Sequence, residues 1–239
     1  MRKFVVFDKV FELFPQARVC GLVIRNMDNG IPWDGTGMLE QACREAASRL
    51  GGAPFAESPF FAPWREAFRA FGAPKGYRSS VEALAKRAVK GSCPPSINPL
   101  VDLYNATSLK FLFPCGAEDL DALIGDVRLM QARGGEPFLP LGSEENDPPR
   151  EGEIVYLDDA GAICRCWNWR EADRTKLTPE TKRALLFMES LAPERDEDLR
   201  KALVFIDEAI RNNLGAATTK FWLDSKCGQV DIPEGSWKE

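Results

Sequence analysis

The sequence predicts an α+β protein in which helices flank a mostly antiparallel sheet. Amphipathic helix patterns dominate the first half of the chain, and short apolar runs separated by turn signals dominate the second. At 239 residues, with 44% hydrophobic and 28% charged residues, the chain is long enough to bury a substantial core. We expect one domain over residues 1–239, with an N-terminal α/β part at 1–62, a core at 63–190 and a C-terminal helix and tail at 191–239.

The first part of the chain carries alternating strand and helix signals. Phe4–Phe7 is a short apolar run, and Asp8–Phe14, which stops at a proline, fits a short helix. Arg18–Arg25 (RVCGLVIR) predicts a buried strand. Met38–Leu50 has apolar residues at helical spacing and ends at a Gly-Gly pair, which predicts a helix.

Two more helices are predicted before the middle of the chain. Pro63 begins the first, which ends at Gly72. Ser79 and Glu82 have the spacing of a capping box, and the helix that they head runs to about Lys90.

Positive charges gather on the outer face of this last helix. They are Lys86, Arg87 and Lys90, with Lys75 and Arg78 just upstream. The cluster is either a solvated helix face or an RNA-binding patch. Because the net charge is −5, any RNA contact must come from such a local patch, and we expect no DNA binding.

The most informative stretch is residues 96–125, SINPLVDLYNATSLKFLFPCGAEDLDALIG. Asn98 followed by proline predicts a helix start, and Asp102 and Asn105 continue a polar face at helical spacing. Phe113–Ala117 is predicted as an uncharged tight turn of mostly small residues. A polar helix face beside such a turn is either a pocket wall or ordinary packing.

After Gly125 the pattern becomes that of strands. Strands are predicted at Val127–Ala132, Pro137–Leu141, Ile154–Leu157, Ala162–Trp169 and Arg183–Ser190, with a hairpin turn at Asp158–Gly161 and another turn at Thr178–Thr181. A helix is predicted at Glu194–Asn213, and the tail from Thr218 adds an edge strand.

The segment Trp167–Lys182 is dense in polar groups. Trp167 and Trp169 either pack on opposite faces of a strand or form a binding wall. We expect this segment to converge with residues 96–125 and with the Gly134–Glu136 turn.

Several function classes are excluded by composition. The chain contains no histidine, which removes His-dependent triads and His-ligated metals. Seven irregularly placed cysteines indicate reduced thiols, so we expect no metal and no cofactor. No membrane span and no signal peptide are expected, which favours the cytoplasm.

The stretch 96–125 and the segment Trp167–Lys182 resemble the B3/B4 domain of the phenylalanyl-tRNA synthetase beta subunit, which hydrolyses mischarged tyrosyl-tRNA. The chain is most similar to the free-standing bacterial B3/B4-domain proteins. Ser96–Asn105 (SINPLVDLYN) and the later Asp-Leu-Asp and glycine follow the family pattern NNVVDITNYV…FDLDKL, and Leu177–Lys182 (LTPETK) resembles VTEETK. The similarity spans roughly Trp64–Ser190 and implies the B3/B4 fold.

The resemblance implies a pocket and also shows where this chain departs from the family. Tyr104 and Asn105 match pocket-lining positions of the family. The family also has a carboxylate that reads the amino-acid side chain. Glu189 matches this carboxylate if the strand carries two extra residues, and Phe187 matches it if the alignment has no gap. The family's pocket histidine corresponds to Gly116. Its Ala-Gly wall corresponds to Trp167-Asn168, and a family glycine to Glu171, so tyrosine is not assumed as the rejected side chain.

The expected function is that of a trans-acting editing hydrolase acting on the aminoacylated 3′ end of a mischarged tRNA. Such esters are activated, so positioned water suffices without a side-chain nucleophile. Asp102 or Asp173 is expected to bind the α-ammonium and Asn105 to orient the ester. The expected substrate-binding residues are Tyr104, Cys115, Gly116, Trp167, Asn168, Thr175, Lys176 and Glu189, with Cys115 more typical of a small packed thiol than of a nucleophile. The alternative is a non-catalytic module that binds an amino acid or RNA; a complete synthetase subunit is excluded, because nothing in the sequence resembles an ATP-binding synthetase core.

Overall fold

The structure is a computed structural model that describes residues 2–51 and 54–233. Its helices are α1 (Asp8–Leu13), α2 (Thr36–Leu50), α3 (Ala62–Ala70), α4 (Ser80–Val89), α5 (Pro99–Phe111) and α6 (Asp196–Leu214). Its strands are β1 (Arg2–Val6), β2 (Arg18–Arg25), β3 (Cys115–Asp119), β4 (Val127–Gln131), β5 (Ile154–Asp158), β6 (Gly161–Arg165), β7 (Arg170–Glu171), β8 (Ala184–Ser190), β9 (Ala217–Leu223) and β10 (Gln229–Ile232). A short 3₁₀ turn, Pro193–Arg195, precedes α6.

The strands form two sheets, and the predicted α+β class is confirmed. One sheet has six strands in the order β10-β1-β4-β5-β6-β7, and the other has four in the order β3-β8-β2-β9. All pairings are antiparallel except β1 with β4. The N-terminal strands are integral to both sheets, since β1 lies inside the first and β2 inside the second.

The two sheets face each other, and helices cover the far side of the smaller sheet. Phe4 and Tyr156 of the larger sheet share a buried cluster with Leu185 and Phe187 of the smaller one. The opposite face of β2 and β8 packs on α5 and α6. A third cluster joins α2, α4 and α5. Burial of these apolar faces supplies the main stabilisation of the fold.

Helix α5 begins as predicted. The Asn98 side chain accepts a hydrogen bond from the Val101 amide at 3.0 Å, and Pro99 takes the first helical position. The helix ends at Leu112 in the left-handed conformation (φ 57°), where Phe113 O accepts a bond from Ser108 Oγ. This helix therefore presents Tyr104 and Asn105 from a well-fixed position.

Some predicted elements differ in the structure. The predicted turn at Phe113–Ala117 is wrong, because Cys115–Asp119 forms β3 and pairs with β8. Pro137–Leu141 makes only an isolated bridge at Pro140 rather than a strand. The predicted strand Ala162–Trp169 ends at Arg165, and a turn follows.

The predicted capping box is also wrong. Ser79 occupies the N-cap of α4 but makes no side-chain capping bond. Glu82 is buried and binds Arg65 and Lys86 instead, with Arg65 Nε 2.9 Å and Lys86 Nζ 2.7 Å from its carboxylate oxygens. Two cations satisfy this carboxylate more completely than one backbone amide would.

None of the helices described in the structure is both long enough and apolar enough to cross a bilayer. Among the described residues, no group of three or more Cys, Asp or Glu side chains is placed to hold a metal ion.

Candidate functional site

A cavity of about 290 Å³ opens where α5, β3, β8 and the segment 168–171 meet, at the β3 edge of the smaller sheet. Its volume is near the lower end of the range for small-molecule sites, about 300 Å³. Six of the side chains or backbone positions predicted from the sequence line it: Tyr104, Asn105, Cys115, Gly116, Asn168 and Glu189. The structure thus joins four separate parts of the chain around one hollow.

Phe187 and Glu189 both line the cavity. They are two residues apart on β8, so their side chains project from the same face of the sheet. The sequence analysis left open which of the two residues takes the family's carboxylate position. In the structure both residues line the cavity.

Glu189 is 1% exposed and accepts three hydrogen bonds. Its Oε1 accepts from the Tyr156 hydroxyl and from Trp167 Nε1 at 2.7 Å, and its Oε2 accepts from Asn168 Nδ2 at 2.6 Å. Burial raises the pKa of Glu189 to about 7, while the three donors oppose that rise. The carboxyl is therefore held in one orientation at the cavity wall.

Trp167 lies behind the cavity rather than in its wall. Cys166 and Trp167 adopt positive φ angles of 44° and 63°, which turn the chain sharply after β6. The turn buries the Trp167 ring, whose centroid lies 5.0 Å from that of Phe14 and 5.2 Å from that of Trp64. The tryptophan on the cavity side is Trp169, so Trp167 acts by holding Glu189.

Asp102 lies away from the cavity and is fully buried. Its carboxylate accepts hydrogen bonds from Trp33 Nε1 at 3.0 Å, from Ser96 Oγ and from the Ile97 amide at 2.9 Å. These bonds fasten the loop before α2 and the segment before α5 to the helix. Its surroundings are those of a structural carboxylate, so we do not propose it as the ammonium ligand.

Asp173, Thr175 and Lys176 also lie outside the cavity lining. Asp173 and Lys176 pair with each other at 2.9 Å on the surface. Thr175 has no exposed surface, which keeps its side chain from contact with RNA. The predicted convergence of Gly134–Glu136 with this site is also absent, since that turn packs near Glu151 instead.

Glu171 is the cavity residue that the sequence analysis did not assign to the site. It sits on β7 opposite Cys164, which also lines the cavity. A Cβ at position 116 would lie 3.0 Å from Glu171 Oε1, so the glycine leaves room for this carboxyl. Burial raises the pKa of Glu171 to about 7. The signal available in the sequence was that a glutamate stands where the resembling family has glycine.

A second carboxyl lies beside Glu171. Glu118 of β3 is 1% exposed, and neither of its oxygens has a hydrogen-bond partner among the described residues. Burial and the neighbouring Glu171 raise the pKa of Glu118 well above its usual range. Two carboxyls at close range, one buried and the other partly buried, oppose each other's ionisation.

The cavity thiols are poor nucleophiles. Burial raises the pKa of Cys115 and of Cys164 well above the usual range. All seven cysteines are free, and no histidine exists to activate any of them. Cys115 therefore serves as a wall of the cavity.

A basic groove adjoins the cavity. It lies between α3 and α4, measures about 440 Å³, and is lined among others by Arg69, Lys75 and Arg78. Tyr77 of the groove stacks on Trp169 of the cavity with ring centroids 3.6 Å apart and planes inclined by 20°. The two hollows therefore share a wall of stacked aromatic rings.

The predicted RNA-binding residues are divided between this groove and the open surface. Lys86 lines the groove and is paired with Glu82. Arg87 of α4 and Lys90, which follows the end of α4, are exposed but do not line the groove.

The fold and the site together define the class of protein: an α+β domain with a cavity of small-molecule size at the edge of a sheet. The family model described as the B3/4 domain matches residues 63–210, and the chain belongs to this family. The phenylalanine–tRNA ligase beta subunit of Fusobacterium nucleatum is 29% identical over 120 residues, which cover 50% of this chain and 15% of that protein. The corresponding subunit of Mycoplasmoides gallisepticum is 39% identical over 67 residues, 28% of this chain and 8% of that protein.

Among solved structures, an N-terminal fragment of the phenylalanyl-tRNA synthetase beta subunit from Pyrococcus horikoshii is similar, with 13% identity and a TM-score of 0.47 over 92% of this chain and 53% of that one. The chain is thus an aminoacyl-tRNA synthetase-related domain. The regions that match the two ligase subunits amount to less than a sixth of either protein's length.

Proposed function

We propose that this protein hydrolyses the ester of a mischarged aminoacyl-tRNA in trans, in the cytoplasm. The observation that carries the proposal is the cavity in which Tyr104, Asn105, Asn168 and Glu189 meet. These residues come from three parts of the chain, and Tyr104, Asn105 and Glu189 match positions that the B3/B4 resemblance associates with an aminoacyl pocket. The volume suits an amino-acid side chain together with its ester group.

The polar groups of the cavity suit a ligand rich in hydrogen-bond donors. Asn168 is 7% exposed, and its Oδ1 has no donor within the part of the chain that the structure describes. Glu189 adds a carboxyl whose ionised form is disfavoured by burial, so an incoming ammonium stabilises that form. An aminoacyl ester carries one such ammonium beside the bond to be cleaved.

The basic groove provides a path for the nucleotides that precede the ester. Arg69, Lys75 and Arg78 supply positive charge for phosphates, and the Tyr77–Trp169 stack offers an aromatic surface to a base. Because the stack is also a cavity wall, RNA bound in the groove delivers its 3′ end to the cavity.

The proposal is tested by deacylation across a panel of tRNAs, each esterified to a non-cognate amino acid. We expect hydrolysis of at least one ester at micromolar protein, well above spontaneous hydrolysis. In Arg78→Ala, KM for tRNA should rise while kcat stays unchanged. The slope of log KM against the logarithm of the salt concentration should become shallower by about one unit. Lys201→Ala on α6, where Lys201 pairs with Glu197 on the surface, is the matched surface control. A panel left untouched refutes the proposal.

A second candidate is a binding module without catalysis. It is favoured by the absence of histidine and by Trp167-Asn168 in the place of the resembling family's small Ala-Gly wall. A thermal-shift screen with free amino acids separates the two functions. A rise in Tm with one amino acid, together with no hydrolysis of any ester, supports the module.

A further inference from the structure

We propose that Glu171 is the general base of this hydrolase and takes the water proton that a histidine would otherwise accept. This assignment rests on the proposed ester hydrolysis. It follows from the cavity lining, from the space left by Gly116 and from the absence of histidine in the chain. A glutamate at 171 and a glycine at 116 are complementary, since a Cβ at 116 would crowd the carboxyl at 3.0 Å.

The other groups that line the cavity are unsuited to this role. Both oxygens of Glu189 already accept hydrogen bonds from protein donors, and a water in the cavity would have to compete with these donors for the carboxylate. Cys115, Cys164 and Tyr104 are held in their neutral forms by burial. Arg170 presents a guanidinium, which has only hydrogen-bond donors to offer to water.

Glu171 has the properties that general-base catalysis needs. Its carboxyl reaches the cavity, and burial is the cause that raises its pKa to about 7. A base is most effective when its pKa lies near the working pH, because it is then both ionised and basic enough to accept a proton. An exposed glutamate, with a usual pKa of about 4.3, would be ionised but far less basic.

The reaction balances without a further reactant. Glu171 accepts a proton from water as the water oxygen bonds to the ester carbonyl carbon, which gives a tetrahedral oxyanion. When the oxyanion collapses, the bond from carbon to the ribose oxygen breaks, and Glu171 returns the proton to the ribose oxygen. The free amino acid then releases its carboxyl proton to solvent, and Glu171 is again a carboxylate. Asn105, half-buried in the cavity wall, offers its amide to the oxyanion.

The surroundings of Glu171 set the pH range of the activity. The carboxyls around Glu171 are Glu118 of β3 and Glu189 of β8, and Glu118 and Glu171 oppose each other's ionisation. Arg174 lowers the pKa of Glu118 and so opposes this effect. The thiols and phenol that face the site from β3, β6 and α5 stay neutral up to high pH. The rate should therefore rise with pH to a plateau, with a midpoint near 7.

The test is single-turnover deacylation, between pH 5.5 and 8.5, of the mischarged tRNA that the wild type cleaves fastest. In Glu171→Gln, which preserves the size of the side chain, the rate constant at pH 7.5 should fall at least 100-fold. Binding of the tRNA should change less than threefold, and the rise of the rate near pH 7 should disappear. Glu180→Gln, the same change on an exposed turn, is the control and should match the wild type.

Gly116→Ala supplies a second variant that leaves the carboxyl chemistry intact. The added methyl group lies within 3.0 Å of Glu171 Oε1 and displaces it, so the rate should fall while the Tm stays within a few degrees of the wild-type value. An active wild type whose Glu171→Gln variant keeps its rate within threefold overturns the role of Glu171 and leaves the hydrolase function intact. A wild type that cleaves no ester overturns both.

Discussion

The buried carboxyls make the stability of this protein fall as pH rises from 5 to 8. Burial raises the pKa of Glu189 from 4.5 to about 7, so the folded state favours the protonated carboxyl. Its contribution to stability is fully present below pH 4.5, and it is lost as pH rises through 7. At 1.36 kcal/mol per pKa unit the whole effect is about 3 kcal/mol, of which about 2.5 kcal/mol falls between pH 5 and pH 8.

Histidine, the one side chain whose ordinary pKa lies between 5 and 8, is absent from the chain and adds nothing in this pH window. The pKa values of Glu82, Glu153 and Asp207 are lowered, despite their burial, by bonds to cations and other donors, so these groups ionise below their usual range. Glu171 is raised like Glu189 and adds to the same decline.

Glu189→Gln removes the charge and retains the hydrogen bonds. The glutamine oxygen can accept from Tyr156 and Trp167 as Oε1 does now, and its amide can donate to Asn168 Oδ1, which has no donor among the described residues, once the Asn168 amide rotates. We expect the variant to match the wild type at pH 5 and to exceed it by about 2.5 kcal/mol at pH 8.

The assay is urea denaturation at both pH values, with midpoint and slope fitted separately. Equal wild-type stability at pH 5 and pH 8 would refute the reasoning, as would a Glu189→Gln variant that keeps the full wild-type decline.

Three further variants test the fold. Arg165→Met leaves the buried Glu153 carboxylate without its 2.9 Å partner and should lower the free energy of unfolding by about 3–5 kcal/mol in urea; a loss below 1 kcal/mol would contradict the burial of this pair. Asn98→Ala removes the cap of α5 and should cost about 1 kcal/mol in the same assay, whereas Asn98→Ser should recover most of it. Gly21→Ala places a methyl group against Leu186 O in the middle of the smaller sheet, so we expect no cooperative unfolding transition by circular dichroism; a wild-type Tm would show that β2 can shift.

Elements with a strong local signal were predictable from the sequence. The strand Arg18–Arg25 has the predicted limits, and the turn between β5 and β6 lies at the predicted Asp158–Gly161. The start of α5 at Asn98 and Pro99 is also as predicted. In each case adjacent residues carry the information, through apolar run length, turn chemistry or helix capping.

The elements that differ depend on partners far away in the chain. Cys115–Asp119 contains glycine, alanine and two acids, which is a weak strand signal, and it becomes β3 because β8 lies alongside it. The turn at Cys166 and Trp167 has positive φ angles at two non-glycine residues, a conformation that no local pattern indicates.

The sequence by itself determined the fold class, the helix α5 with its polar face, the family resemblance and six of the positions around the cavity. Only the tertiary structure decided that Asp102 is structural, that Trp167 supports Glu189 from behind, and that Glu171 enters the space beside Gly116. The physical reason is that local residues set helix starts and turns, whereas desolvation and pairing arise when distant segments meet. The pKa of a carboxyl such as Glu171 depends on which distant segments pack around it, and no single stretch of sequence contains that information.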